Sequence, residues 1–258
     1  MLRVNGIEIT QETFGDNSLK LNVAFQYEGR LMYQIDWFYE NDAEIFTLYS
    51  IVRTIRDFRG KDVHINLLVP YLPHARQDRG VSGRAFTLKY FAELINLMDF
   101  DKVQVMDVHS DVATGLINRL VNNTFEGVPP IYMKILKEKC SVMFPDAGAA
   151  KRFSATEDDI IGFKTRDEEG RIKSFDLLNF TPGTKEVLIV DDICSYGGTF
   201  VAAAKELRNR GVEKIYLAIT HCENNILKGE VFDWIDEVYT TNSICTVEHP
   251  KLHITNIR

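Results

Sequence analysis

Helical and strand-like patterns of apolar residues alternate along this chain. Ile45, Leu48, Ile51, Val52 and Ile55 recur at helical spacing, which predicts a helix over residues 42–58 with one apolar face. Short apolar runs at 63–69, 103–108 and 141–144 read as strands, and 86–98 reads as a helix between the first two. Residues 160–164 and 171–175 read as a hairpin around Asp167-Glu168-Glu169-Gly170. Four consecutive aliphatics, Val187-Leu188-Ile189-Val190, predict a buried strand; a helix over 200–210, stopped by Gly211, and a strand over 215–220 follow. Strands alternating with helices predict an α/β architecture with mostly parallel sheets. The segment 121–130 is polar and then carries Gly127, Pro129 and Pro130, which makes it the best candidate boundary. A cut there gives two α/β halves, an N-terminal domain over 1–125 and a C-terminal domain over 126–258.

The buried strand ends in the densest chemistry of the chain. Asp191 and Asp192 stand together, then Ser195-Tyr196-Gly197-Gly198-Thr199 makes a glycine turn into the next helix. Free backbone N–H groups and the positive end of the helix dipole suit a phosphate. Two carboxylates suit sugar hydroxyls or a divalent cation. The stretch is neither a GxGxxG nor a Walker loop. A phosphorylated sugar is the ligand this arrangement fits. In open α/β sheets ligands lie at the carboxyl ends of strands. Polar groups fall at those ends here: Arg76, Gln77 and Asp78, then Asp107 and His109, then Asp146, then the acid pair.

Composition narrows the partners. With 258 residues there is room for two small domains, each with a core. A net charge of -7 argues against nucleic acid as the main partner, so phosphate ligands need local Lys, Arg or metal. No apolar run approaches a membrane span, and the first residues lack the apolar stretch of a signal peptide. The four widely spaced cysteines, Cys140, Cys194, Cys222 and Cys245, form no metal-type pair and read as free thiols. A cytoplasmic location with no membrane partner is the expectation.

Two further loops carry cations. Pro70-Tyr71-Leu72-Pro73-His74-Ala75-Arg76-Gln77-Asp78-Arg79 follows a strand, and Phe163-Lys164-Thr165-Arg166 borders the predicted turn. Each alone is as readily a solvated loop. In order, however, the PY-x-x-ARQDR stretch from Pro70, Asp107-Val108-His109, Pro145-Asp146-Ala147-Gly148, Lys164-Thr165-Arg166 and the Asp191 to Thr199 loop resemble the motifs of the ribose-phosphate pyrophosphokinases. The resemblance covers residues 60–225 well and the ends poorly. It implies two Rossmann-like halves of type I phosphoribosyltransferase type. It also implies Mg²⁺-dependent transfer of the β,γ-diphosphoryl group of ATP to the anomeric hydroxyl of a ribose, in a homo-oligomer, a dimer or larger. Arg76, Gln77 and His109 would bind ATP, and Arg76, Lys164 and Arg166 would be catalytic cations. His109 and Asp146 would lie at the metal sites. Asp191, Asp192, Ser195, Tyr196, Gly197, Gly198 and Thr199 would hold the acceptor. Phe14-Gly15-Asp16 resembles a hairpin that completes the adenine pocket of a neighbouring subunit.

There are departures from the family pattern. Little room precedes Phe14 for the family's first strand and helix, and the tail after Glu248 is short for a closing helix. The loop 77–84 is less basic than the family's, Ser195-Tyr196 stands where an Asp-Thr pair is common, and Ser18 stands where an acid often reads adenine. The acceptor is therefore open between ribose 5-phosphate and ADP-ribose, the latter feeding NAD resynthesis. A type I phosphoribosyltransferase and an inactive regulatory homologue are the alternative functions.

Overall fold

The structure, a computed structural model, describes residues 1–23, 30–123, 128–136, 139–166 and 172–257. It divides into two compact units, Met1–Asn123 and Thr124–Arg258, with the division two residues ahead of the expected one.

The first unit contains strands β1 (Leu2–Val4), β2 (Ile7–Glu8), β3 (Gln11–Thr13), β4 (Leu19–Leu21) and β5 (Met32–Trp37), then helix α1 (Glu44–Arg59) and β6 (His64–Leu68). Helix α2 (Thr87–Leu97), β7 (Lys102–Val105), α3 (Val112–Leu116) and β8 (Leu120–Asn122) complete it. Six strands form one sheet in the order β2-β1-β5-β6-β7-β8. β5 through β8 pair in parallel, while β1 runs antiparallel to both β2 and β5. Leu48, Ile51, Val52 and Ile55 of α1 are buried, as the spacing predicts, against Ile35, Ile65 and Leu67 of the sheet. The room before Phe14 does hold structure: Leu2 and Val4 are fully buried on β1. Short alternating strands like this carry too little periodicity to be read from sequence.

The second unit runs α4 (Val128–Leu136), β9 (Ser141–Phe144), α5 (Ala147–Arg152), β10 (Ile160–Arg166), β11 (Ile172–Leu178), β12 (Glu186–Cys194) and α6 (Gly198–Asn209). Then come β13 (Lys214–Cys222), a 3-10 turn (Asn224–Lys228), α7 (Val231–Trp234), β14 (Glu237–Thr241) and β15 (Leu252–Thr255). Seven strands pair in the order β11-β10-β9-β12-β13-β14-β15, all parallel except the β10–β11 hairpin. The hairpin is longer than predicted, and its turn, 167–171, lies outside the described residues. The run Val187-Leu188-Ile189-Val190 is apolar throughout because β12 is central and covered on both faces. Val187 and Ile189 pack with α6, while Leu188 and Val190 pack with Phe144, Ala149 and Phe153 on the other face.

The division between the units falls inside the expected boundary segment 121–130, which carries regular structure at both its ends. The segment's start belongs to β8 and its end opens α4. Proline lacks an N–H that a first helical turn leaves unpaired anyway, so two prolines can begin a helix. After Glu248 the chain closes with an edge strand, β15, parallel to β14. No helix among the described residues is long and apolar enough to cross a membrane.

Candidate active site

In the first unit, two strand ends are tied together. The Val69 N–H donates to Gln104 O at 2.8 Å and the Met106 N–H to Pro70 O at 3.0 Å, so the loops after β6 and β7 leave the sheet side by side. His74 is held in the left-handed region with φ +64°, bonded to Asp42 Oδ1 at 3.0 Å and packed on Phe91. Gln77 Oε1 accepts from Thr87 Oγ1 at 2.7 Å, at the first turn of α2. Asp78 Oδ2 accepts from Ser110 Oγ at 2.7 Å, which joins the two loops a second time. Asp107 is fully buried at φ +46°, a conformation that only surrounding structure sustains, while His109 is exposed. Arg76 and Arg79 are exposed, and Arg79 Nε lies 3.5 Å from the other oxygen of Asp78, Oδ1. They line a pocket of about 670 Å³ together with Gln77, Asp78, Val81, Arg84 and Ala85. A pocket of that size suits a nucleotide, and three guanidinium groups suit its phosphates. Arg84 had no place in the sequence reading. It reaches the pocket because the chain turns back at 81–84, where Val81 and Arg84 form an isolated bridge.

The hairpin β3–β4 carries Phe14 at its tip, 56% exposed. Asp16 Oδ1 accepts from the Ser18 N–H at 2.9 Å and Ser18 Oγ at 2.6 Å, which closes the turn. Asp16 is thereby occupied with its own hairpin.

In the second unit, four strand ends meet. β9 delivers Asp146, the N-cap of α5. Its Oδ1 accepts from the N–H groups of Gly148 (3.0 Å) and Ala149 (3.1 Å), and its Oδ2 accepts from Lys164 Nζ of β10 at 2.9 Å. Burial pushes the Asp146 carboxyl up, but Lys164 and the two N–H donors outweigh it and hold it below the usual range. The last residue of α5, Arg152, sets Nη1 2.6 Å from Asp192 Oδ1 and 3.6 Å from Asp191 Oδ1. Burial, and then the charge of Asp192, push the Asp191 carboxyl well above the carboxylate range. Six residues of helix thus join the Lys164 partner to the acid pair. The sequence offered a signal for Arg152, a cation at the C-terminal end of a short helix capped by Asp146, but only the fold aims it at β12. Arg166 ends β10, and its side chain lies outside the described residues.

The loop after β12 is locked from behind. Gly197 has φ +77°, and a Cβ there would lie 2.0 Å from Val231 Cγ2. A Cβ on Gly229 would lie 2.1 Å from the Tyr196 carbonyl oxygen. Both positions need glycine for conformation or close approach. Helix α6 then starts at Gly198, so the first N–H groups of Gly198 and Thr199 have no partner within the helix. Ser195 Oγ donates to Glu223 Oε2, from the end of β13, and Tyr196 is 55% exposed.

Among the described residues no group of three or more His, Cys, Asp or Glu is placed to hold a metal. His109 belongs to the first unit and Asp146 to the second. The donors on the second unit are carboxylate oxygens, which match Mg²⁺, an ion usually held by one or two carboxylates with water and substrate phosphates. The imidazole of His109 is the less suited donor for it.

Comparison with known proteins gives the family and the fold. A phosphoribosyl transferase domain model matches residues 155–250, which include Lys164 and the Asp191 to Thr199 loop. The chain is 28% identical to the ribose-phosphate pyrophosphokinase of Hyphomonas neptunium, over 96% of this chain and 82% of that one. It is 30% identical to the ribose-phosphate pyrophosphokinase of Aquifex aeolicus, over 99% of this chain and 85% of that one. The chain belongs to the ribose-phosphate pyrophosphokinase family. It is thus an enzyme of diphosphotransferase type. The fold matches that of a phosphoribosylpyrophosphate synthetase from Mycobacterium smegmatis, with TM-score 0.75 and 18% identity over 97% of this chain and 86% of that one. Its two units are therefore the two phosphoribosyltransferase-type halves of this family, with mostly parallel sheets.

Proposed function

We propose that this pyrophosphokinase transfers the β,γ-diphosphoryl group of ATP to the anomeric 1-hydroxyl of a ribose 5-phosphate unit and releases AMP. The observation that carries this is a three-arginine pocket of nucleotide size in a chain that also has the acid pair and glycine loop of a phosphoribose site. A phosphoribosyltransferase consuming an activated sugar has no use for that pocket. Arg76, Arg79, Arg84 and Gln77 hold the triphosphate. Asp191 and Asp192 orient the ribose hydroxyls. The loop 195–199 holds the 5′-phosphate. The anomeric oxygen attacks the β-phosphorus, and the bond to the α–β bridging oxygen breaks. Lys164 turns from Asp146 to the phosphoryl oxygens as charge spreads over them, joined by Arg166. Asp146, released by Lys164, would hold Mg²⁺ through its carboxylate. What the ion supplies when bound is neutralisation of charge on the phosphate oxygens. Phe14 on its exposed hairpin fits a role at the adenine of a neighbouring copy in a homo-oligomer.

ADP-ribose is the second reading for the acceptor, in NAD resynthesis. Tyr196 favours it, since an exposed ring beside the phosphate loop can stack on a group carried beyond the first phosphate. Product analysis by ³¹P NMR tests both. AMP is expected only with Mg²⁺ and an acceptor present, and the better acceptor has the higher kcat/KM. ADP or inorganic phosphate as the primary product excludes the proposed transfer. Consumption of an activated sugar without ATP indicates a transferase, and no turnover of any acceptor indicates an inactive homologue.

A further inference from the structure

Glu223 stands where β13 ends beside β12. Its N–H donates to Cys194 O at 2.8 Å, so the backbone holds it against the start of the glycine loop. Its Oε2 accepts from Ser195 Oγ and from Asn225 Nδ2 at 3.3 Å. A serine hydroxyl has one proton to give. That proton goes to Glu223, so Ser195 has none for a ligand. A group that stands in a phosphate loop as a donor is here turned away from it, with a carboxylate behind it.

The loop backbone cannot easily shift. Gly197 is packed on Val231 and Gly229 on the Tyr196 carbonyl, which holds the loop against the segment that follows Glu223. A doubly charged phosphate monoester loses a donor here and meets a like charge. A singly charged phosphodiester needs fewer donors and meets less repulsion. The exposed Tyr196 beside it leaves space for what the diester carries.

We propose that Glu223, acting through Ser195, is a specificity-determining residue that makes the loop favour an acceptor whose 5′-phosphate is a phosphodiester over one with a free monoester. The inference rests on the reading of 195–199 as the acceptor's phosphate loop. It adds a residue outside that loop and a rule based on charge.

Glu223→Gln tests it. The amide can donate to the serine oxygen, which frees the Ser195 proton for the ligand, and the charge is gone. With Mg-ATP, kcat/KM for ribose 5-phosphate is expected to rise roughly tenfold in the variant, the scale of one hydrogen bond to a charged group. For ADP-ribose it should stay within about twofold, so the ratio of the two shifts by about tenfold. Equal changes for both acceptors, or a shift toward the diester, overturn the proposal. If neither acceptor is turned over by the wild type, the proposed transfer fails. Calorimetric Kd values for ribose 5-phosphate and its 5′-methyl diester then read the charge rule directly, with the same tenfold change in ratio expected. Should the Gln variant not fold, as judged by its melting curve, Glu223→Ser serves with the same expected and overturning outcomes.

Discussion

The strand ends of the two units handle charge in opposite ways. In the first, the one acid at the pocket, Asp78, is held by Ser110 and lies 3.5 Å from the exposed Arg79, and Arg76, Arg79 and Arg84 line an open pocket. In the second, the cations turn onto the acids, Lys164 to Asp146 and Arg152 to Asp192, at 2.9 and 2.6 Å. The first leaves its exposed guanidinium groups around a space that an anion can enter. The second is assembled beforehand, and a ligand must exchange partners within it. Exposed charges contribute little to stability, while breaking a buried pair leaves a charge without compensation. The same residue types should therefore separate into ligand-binding groups in the first unit and, in the second, a chemical role at the part-exposed Lys164–Asp146 pair and structural weight at the buried Arg152–Asp192 pair.

The sharpest attack on this contrast is Lys164→Ala. The lysine is tied to Asp146 in this structure and stabilises the transferring group in the proposed reaction. Turnover is expected to drop on the order of 10² or more, with the melting temperature nearly unchanged, because Asp146 keeps its two N–H donors. Stopped-flow or coupled AMP assays beside calorimetric melting would show it. Retained activity with a large loss of stability would make Lys164 a structural lysine.

Next in size is a difference within the acid pair. Asp192→Asn removes the nearer and more buried of the two carboxylates beside the Arg152 guanidinium and should cost about 3 kcal/mol in denaturant unfolding. Asp191→Asn should cost under about 1 kcal/mol, because burial and Asp192 already push its carboxyl toward the neutral form that Asn mimics. Both should raise KM for the acceptor more than for ATP. Equal unfolding costs would show that Arg152 does not distinguish the two.

A smaller effect is expected from Arg84→Ala. Loss of one charge-assisted contact should weaken ATP binding about tenfold and change stability by less than about 0.5 kcal/mol. Equilibrium binding of ATP and urea unfolding on the same samples separate the two. An unchanged ATP affinity would detach Arg84 from the nucleotide pocket.

Smallest of all is a test away from both sites. Burial and the neighbouring Glu186 push the Cys140 thiol up to about 11. At pH 8 its thiolate fraction is on the order of 10⁻³, so Cys140 should resist thiol reagents in the folded protein and react only on unfolding. Mass spectrometry of alkylated peptides reads this. Rapid labelling of native Cys140 would mean that the α4 side of the second unit opens readily.

The elements that sequence specified by itself are those with local causes. Helix α1 follows from five apolar residues on one face, β12 from four aliphatics in a row, and the α6 start from a glycine turn after two acids. The motifs Asp146, Lys164 and Asp191 to Thr199 were also legible, because each sits at the end of a strand that the pattern predicts. Tertiary structure alone decided the rest. The strands β1, β2, β14 and β15 are too short or too mixed to announce themselves, and form because a neighbouring strand offers its edge. Two prolines marked the boundary segment, and the fold makes them the opening turn of α4. Arg84, Arg152 and Glu223 gained their roles from distance in space: Arg152 lies 40 positions from Asp192 and Glu223 lies 28 from Ser195. Local propensity acts through near neighbours in the chain, whereas a charge is paired by whichever strand end the sheet order sets beside it. Only the order β9-β12-β13 in the sheet places those partners together.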